Sequence, residues 1–251
     1  MLYTVCYWFI LFLLYSFIGY IAEVISVSIT HKRVVWNRGF LIGPYLPIYG
    51  VGALIMIWFL SRYEDDLLAL FIMSCFFGGV LEYFTSLIME KIFKLRWWDY
   101  SDIKFNLNGR VCLKNVALFG LGGVIVVKFI QPVLSWLVYL PSSTVTITIA
   151  IILFVIFLVD LIESVYITAR LKINFSNYVH KDATEKIKKE VLTAIRKHML
   201  LTSRLLKAFP TATYTANKKF KDFLDLFDST KREIRIKKLK EKIAKEKKKR
   251  R

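Results

Sequence analysis

Long runs of apolar residues, separated by short polar stretches, divide the first two thirds of the chain. The runs cover residues 2–29, 41–60, 67–89, 113–130 and 145–169. About 20 residues of helix cross about 30 Å of hydrocarbon, so a run of about 18 or more apolar residues is typical of a transmembrane helix. The runs are too long, and too poorly alternating, for the strands of a barrel. We therefore predict an all-α, polytopic membrane helix bundle of about five transmembrane helices.

Charge divides the chain at about residue 170. The 251 residues carry a net charge of +18, and residues 170–251 hold 26 of the 37 Lys and Arg with 9 of the 19 Asp and Glu. This segment alone has a balance of +17, which leaves +1 for the rest. We predict a transmembrane domain over 1–169 and a basic cytoplasmic helical tail over 170–251.

The basic tail favours an anionic membrane surface as its partner. A basic residue beside such a surface contributes about 1 kcal/mol of attraction. Nucleic acid is a less favoured partner, because the last twenty positions contain no aromatic residue on which a base could stack.

Lys and Arg alternate from loop to loop. There are three in the loop between the first two apolar runs, one in the next loop, six over residues 90–115 and none in the loop over 131–144. Cytoplasmic loops of membrane proteins carry the excess of Lys and Arg. The alternation therefore predicts a multi-pass cell-membrane protein with its N-terminus outside and its C-terminus in the cytoplasm.

Carboxylates interrupt three of the apolar runs, at Glu23, Glu82, Asp160 and Glu163. An ionised group at the bilayer centre costs roughly 2.5–3.5 kcal/mol, so such residues usually have a functional role or a partner. Counted from the predicted helix ends, all four lie about 9–14 Å from the cytoplasmic boundary. We expect them to meet in one polar pocket on the inner-leaflet side.

Glycine and proline are concentrated in residues 37–52, which read NRGFLIGPYLPIYGVG and include Tyr45 and Tyr49. Pro44 suits the first turn of a helix, where its missing N–H does no harm. One interpretation is a tight cytoplasmic turn. The other is a broken or re-entrant start to the second helix, whose exposed N–H groups would favour an anion.

The loop over residues 96–115 combines aromatic and polar side chains. Its aromatic residues suit the membrane interface. A second interpretation is that polar side chains of this loop lie directly below the carboxylates and gate them: Asp99, Asn106, Asn108 and Arg110. Arg38 and Arg110 are the natural counter-ions for those carboxylates, because the guanidinium group pairs well with a carboxylate.

Four segments carry a resemblance to a known family: Gly19-Tyr20 with Glu23, the run 37–52, Leu81-Glu82-Tyr83, and Trp98-Asp99-Tyr100-Ser101 with 105–115. Over residues 10–132 the chain resembles a bacterial integral-membrane family of ABC-transporter permeases (type IV). Phe119 stands where that family is expected to favour Trp. The resemblance implies a multi-span membrane protein with a role in transport, and it supplies no site residues. The chain has no Walker-type phosphate loop, so an ATPase would be a separate subunit.

We therefore expect a transporter or permease-like component with no cofactor and no metal site. A membrane enzyme acting on a lipid or polyprenyl-phosphate head group and a non-catalytic scaffold remain as alternatives. Candidate partners are the lipid bilayer, anionic lipids at the tail, a separate ATPase subunit and a second copy of the chain. The candidate binding residues are Glu23, Arg38, Tyr45, Tyr49, Glu82, Tyr83, Asp99, Asn106, Arg110, Asp160 and Glu163.

Overall fold

The computed structural model describes residues 1–32, 34, 36, 39–180, 204–205, 208–209 and 213–214, with backbone alone at 30–31, 172–180 and 213–214. Arg38 and most of the predicted basic tail lie outside the described residues. The helices are α1 (Leu2–His31), α2 (Pro47–Leu60), α3 (Leu67–Phe93), α4 (Leu113–Ile125), α5 (Gln131–Tyr139) and α6 (Ser143–His180). The short strands are β1 (Leu95–Arg96), β2 (Asn106–Leu107), β3 (Val111–Cys112) and β4 (Thr213–Tyr214).

Four stretches of helix are long and apolar enough to cross a membrane: Leu2–Ile29, Leu67–Phe93, Leu113–Tyr139 and Ser143–Leu171. Pro47–Tyr63 is a shorter apolar helix. Their outer faces expose many large apolar side chains, which is expected where the surrounding solvent is lipid. The prediction of an all-α membrane bundle is confirmed.

The predicted loop over 131–144 is wrong for most of its length. A π-helical turn, Val126–Ile130, joins α4 directly to α5, and helix continues to Tyr139. Pro132 lies in the first turn of α5, where a missing N–H is tolerated. Gln131 is satisfied inside the bundle, because its Oε1 accepts a 2.6 Å hydrogen bond from the Tyr15 hydroxyl.

The second apolar run becomes helical only at Pro47, six residues later than predicted. Residues 39–46 form an irregular segment, which we call the broken segment. The amide of Leu46 donates to the carbonyl of Ser16 at 2.9 Å. Ser16 lies 13 residues before Ile29, or about 20 Å along α1 at 1.5 Å per residue. Irregular backbone therefore reaches the middle of the bundle, as the interpretation of a broken start to the second helix requires.

Small residues set the distances between helices. A Cβ added at Gly19 would lie 2.3 Å from the Cβ of Tyr49, and one at Gly50 would lie 2.2 Å from Ser16 Oγ. These two glycines let α1 and α2 pack closely. Small residues at such contacts are characteristic of helix packing in lipid.

Two pairs of short antiparallel strands lie beyond the C-terminal end of α3. β2 pairs with β3 in a hairpin, with Asn106 opposite Cys112. β1 pairs with β4, with Leu95 opposite Tyr214 and Arg96 opposite Thr213. We call this end of the bundle the hairpin end.

Substitution of Gly120 by valine will lower thermal stability, because an added Cβ would lie 2.4 Å from Cys75 Sγ and 2.6 Å from the ring of Phe71. Overpacking of this kind typically costs about 1–3 kcal/mol. Gly122 is the matched control on the same helix, since a Cβ there meets nothing within 4 Å. Melting in detergent should show a midpoint several degrees lower for Gly120→Val than for Gly122→Val. Equal midpoints would contradict the α3–α4 packing.

Candidate functional site

Glu82 of α3 is buried at membrane depth, with 5% of its surface exposed. Its Oε1 accepts hydrogen bonds from the Tyr100 hydroxyl at 3.2 Å and from Asn115 Nδ2 at 3.1 Å. Asn115 also donates to the Tyr100 hydroxyl at 2.8 Å, so the two donors support each other. The second oxygen, Oε2, is buried and has no hydrogen-bond partner in the described part of the chain.

Glu23 of α1 lies beside this group. Its Oε2 accepts a 3.0 Å hydrogen bond from the hydroxyl of Tyr49, the side chain that packs on Gly19. Glu23 and Glu82 are near enough to interact electrostatically, and Tyr49 also feels the charge of Glu82. We call the set Glu23, Tyr49, Glu82, Tyr100 and Asn115 the carboxylate centre.

Tyr100 serves the carboxylate centre from the loop between β1 and β2. Burial raises the pKa of Tyr100 well above its usual value, and the nearby charge of Glu82 raises it further, against a smaller opposing effect of the bond from Asn115. The hydroxyl therefore keeps its proton at any physiological pH and remains a hydrogen-bond donor to Glu82.

Asp160 of α6 holds the broken segment. Its two carboxylate oxygens accept from the amides of Ile42 and Gly43, both at 2.7 Å, and one also accepts from the Tyr45 hydroxyl at 2.5 Å. Ser164 donates to it at 3.0 Å. One interpretation of the sequence was that the exposed N–H groups of this segment would bind an external anion. The Asp160 carboxylate takes that position instead. None of its hydrogen bonds to described residues reaches the carboxylate centre.

Two other candidates make no hydrogen bond or ion pair with the carboxylate centre within the described part of the chain. Glu163 is exposed on α6 and makes no recorded ion pair with a described residue. Arg110 is buried, and its Nη2 lies 2.7 Å from Glu90 Oε2, while its Nη1 donates to Ser86 Oγ at 3.2 Å. Its ionic partner is therefore Glu90 and none of the four carboxylates predicted for that role.

The acidic and amide candidates in the loop hold its turns. Asp99 accepts from the amide of Ser101 at 3.0 Å and from its hydroxyl at 2.6 Å. Burial opposes ionisation of Asp99, but the bonds from Ser101 and the nearby Arg96 leave its pKa below the usual value. Asn106 Oδ1 accepts from the amide of Gly109 at 2.8 Å. Both side chains therefore shape the loop on which Tyr100 is carried.

Tyr83 joins α3 to the hairpin. Its hydroxyl accepts a 3.1 Å hydrogen bond from Asn108 Nδ2. The guanidinium carbon of Arg110 lies 5.9 Å from the centre of its ring. Tyr83 thus fixes the position of the hairpin relative to α3, one residue from Glu82.

Residues 10–165 match the model of the family described as "Putative ABC-transporter type IV". The chain belongs to this family. The match extends beyond residue 132, where the sequence resemblance was expected to end, and includes all four membrane carboxylates. A search of curated proteins and a search of solved structures gave no significant match. Family membership and the apolar helices together support a transporter-like, multi-pass membrane protein.

Three residues at the site of this type IV family member were absent from the predicted set: Glu90, Tyr100 and Asn115. Glu82, Ser86 and Glu90 follow one another at four-residue steps, which places them on one face of α3. That spacing was a usable signal for Glu90. Tyr100 was interpreted as an aromatic residue of the membrane interface. For Asn115 the usable signal was its amide side chain, which is the one amide within the fourth apolar run, 113–130.

Replacement of Asp160 by alanine will free the broken segment of this family member. The amides of Ile42 and Gly43 would lose their acceptor, at a cost of about 1–3 kcal/mol for each group left unpaired. Hydrogen exchange of residues 39–46 should accelerate and the melting midpoint should fall. Glu163→Ala, three residues away on the same helix, should change neither. Unaltered exchange in Asp160→Ala would mean that the carboxylate does not hold this backbone.

Proposed function

We propose that this protein is a membrane transport component whose carboxylate centre binds a proton or a small cation. The observation that carries the proposal is the buried Glu82 carboxylate, which keeps one oxygen without a hydrogen-bond partner among the described residues. Ionisable groups at membrane depth characteristically mark ion pathways and proton relays.

The neighbours of Glu82 favour a positively charged ligand. The groups that donate to it, Tyr100 and Asn115, are neutral, and the charged side chain that acts on it electrostatically within the described part of the chain is another carboxylate, Glu23. Glu82 is buried and Glu23 is half-buried, and two carboxylates this close repel each other unless a positive charge or a proton lies between them. An anion held by Arg110 is less favoured, because that guanidinium is already occupied by Glu90 and Ser86.

The broken segment supports a role in transport. Non-helical backbone is tolerated at membrane depth where it is buried in protein or lines a cavity, and interrupted helices form the ion and substrate sites of many transporters. Tyr49, the third residue of α2, is the hydrogen-bond donor to Glu23. Movement of α2 would therefore change the carboxylate centre directly.

We further propose the predicted orientation, with the hairpin end and the basic tail in the cytoplasm and the membrane domain over residues 1–169. The Lys and Arg of the loops are concentrated at the hairpin end, as expected for a cytoplasmic face. Anionic lipids beside the tail, a separate ATPase subunit and a second copy are the proposed partners.

Purified full-length protein in proteoliposomes tests the function. A potassium gradient with valinomycin would drive proton entry, measured with an internal pH-sensitive dye, and labelled sodium uptake would test a small cation. We expect the wild type to carry one of these ions. Glu82→Gln should lower its flux at least tenfold, because the neutral amide cannot bind the ion through a charge.

The matched control is Glu163→Gln, which removes an exposed carboxyl group of the same chemistry on a neighbouring span. Its flux should equal that of the wild type. No flux of either ion through the wild type, or full flux through Glu82→Gln, would contradict the proposed function.

A further inference from the structure

An aromatic cluster lies at the hairpin end and joins distant parts of the chain. The ring of Trp97 lies 5.8 Å from that of Phe40 in the broken segment and 6.3 Å from that of Phe93 at the end of α3. Its closest aromatic neighbour is Phe209, at 4.8 Å and 64°. Trp97 is only 3% exposed, so the ring from the C-terminal part of the chain helps to bury it.

Phe209 is one of several C-terminal contacts with the same surface. Arg204 Nη2 donates to the carbonyl of Phe40 at 3.1 Å, and β4 pairs with β1. Leu205 and Ala208 are fully or almost fully buried. Side-chain packing, a hydrogen bond and strand pairing thus all join the C-terminal residues to the same surface. The surface is therefore covered by residues of the chain itself.

The contacted surface is linked to both functional elements of the membrane domain. β1 and Trp97 directly precede Tyr100, which donates to Glu82. Phe40 belongs to the broken segment that Asp160 holds, and Arg204 interacts electrostatically with Asp160. Loss of these C-terminal contacts would therefore remove one support from the start of the loop that carries Tyr100 and one from the broken segment.

We propose that the described C-terminal residues, 204–205, 208–209 and 213–214, form a cover that closes the hairpin end over the carboxylate centre and must move away before an ion can pass. We call it the C-terminal cover. The statement about ion passage rests on the proposed function, whereas the docking of the cover does not.

A reversible disulfide tests the closure. Leu95 and Tyr214 are opposite each other in an antiparallel pair, where Cα atoms lie about 4.5–5.5 Å apart, a separation that a disulfide can span. The double variant Leu95→Cys, Tyr214→Cys would be made in full-length protein whose Cys6, Cys75 and Cys112 are replaced by alanine. Oxidation should give a disulfide within one chain and lower ion flux at least tenfold, and a reductant should restore the flux.

Each single-cysteine variant is a control and should show the same flux before and after oxidation. A disulfide that forms without a change in flux would overturn the closure. Absence of a disulfide, or a disulfide only between two chains, would overturn docking within one chain and, in the second case, would assign the surface to a second copy.

Hydrogen exchange measures the docking without any transport assay. Phe209→Ala should raise exchange of residues 95–97 at least tenfold, because β4 would separate from β1. Phe209→Tyr retains the ring and should leave exchange unchanged. If the wild type carries neither ion, the proposed function fails while this measurement still decides the docking. Equal protection in Phe209→Ala and wild type would overturn the C-terminal cover.

Discussion

A backbone that leaves the helical path inside a membrane must find its hydrogen-bond partners within the protein, and the broken segment finds them in Asp160 and Ser16. Asp160 accepts from two successive amides and a tyrosine hydroxyl, while the carbonyl of Ser16 accepts from Leu46. These bonds connect α6 and α1 to the start of α2. Because the position of Tyr49 depends on where α2 begins, the geometry at Glu23 depends on them too.

The acidic side chains of the membrane domain therefore have different roles. Asp160 has a full set of donors and acts in the fold, whereas Glu90 forms ion pairs with both Arg110 and Arg96 near the end of α3. Glu82 is almost completely buried, one of its oxygens has no hydrogen-bond partner among the described residues, and Glu23 is a charged neighbour. An unpaired buried acceptor costs free energy, so we infer that it is kept for a ligand.

Apolar run length predicts the membrane helices well, because the thickness of hydrocarbon fixes how long a spanning helix must be. The close helix contacts at Gly19 and Gly120 also follow from residue size. The start of α2 does not, since the irregular residues before it are held by a tertiary partner, Asp160. Nor does the continuation of helix beyond Gln131, a polar residue that the bundle accommodates through a tertiary hydrogen bond from Tyr15. The separation of Asp160 from Glu82 could not be predicted either, because depth in the membrane gives no direction around the helix axis.

Infrared difference spectroscopy of the reconstituted protein tests most directly whether Glu82 is the ion-binding carboxyl group. The spectra are recorded between weakly acidic and weakly alkaline pH, a range in which exposed carboxyl groups stay ionised. A protonated carboxyl group has a C=O stretching band that disappears when the proton leaves. The account predicts such a band in the wild type, its loss in Glu82→Gln and its retention in Asp160→Asn. A band that persists in Glu82→Gln and vanishes in Asp160→Asn would contradict it.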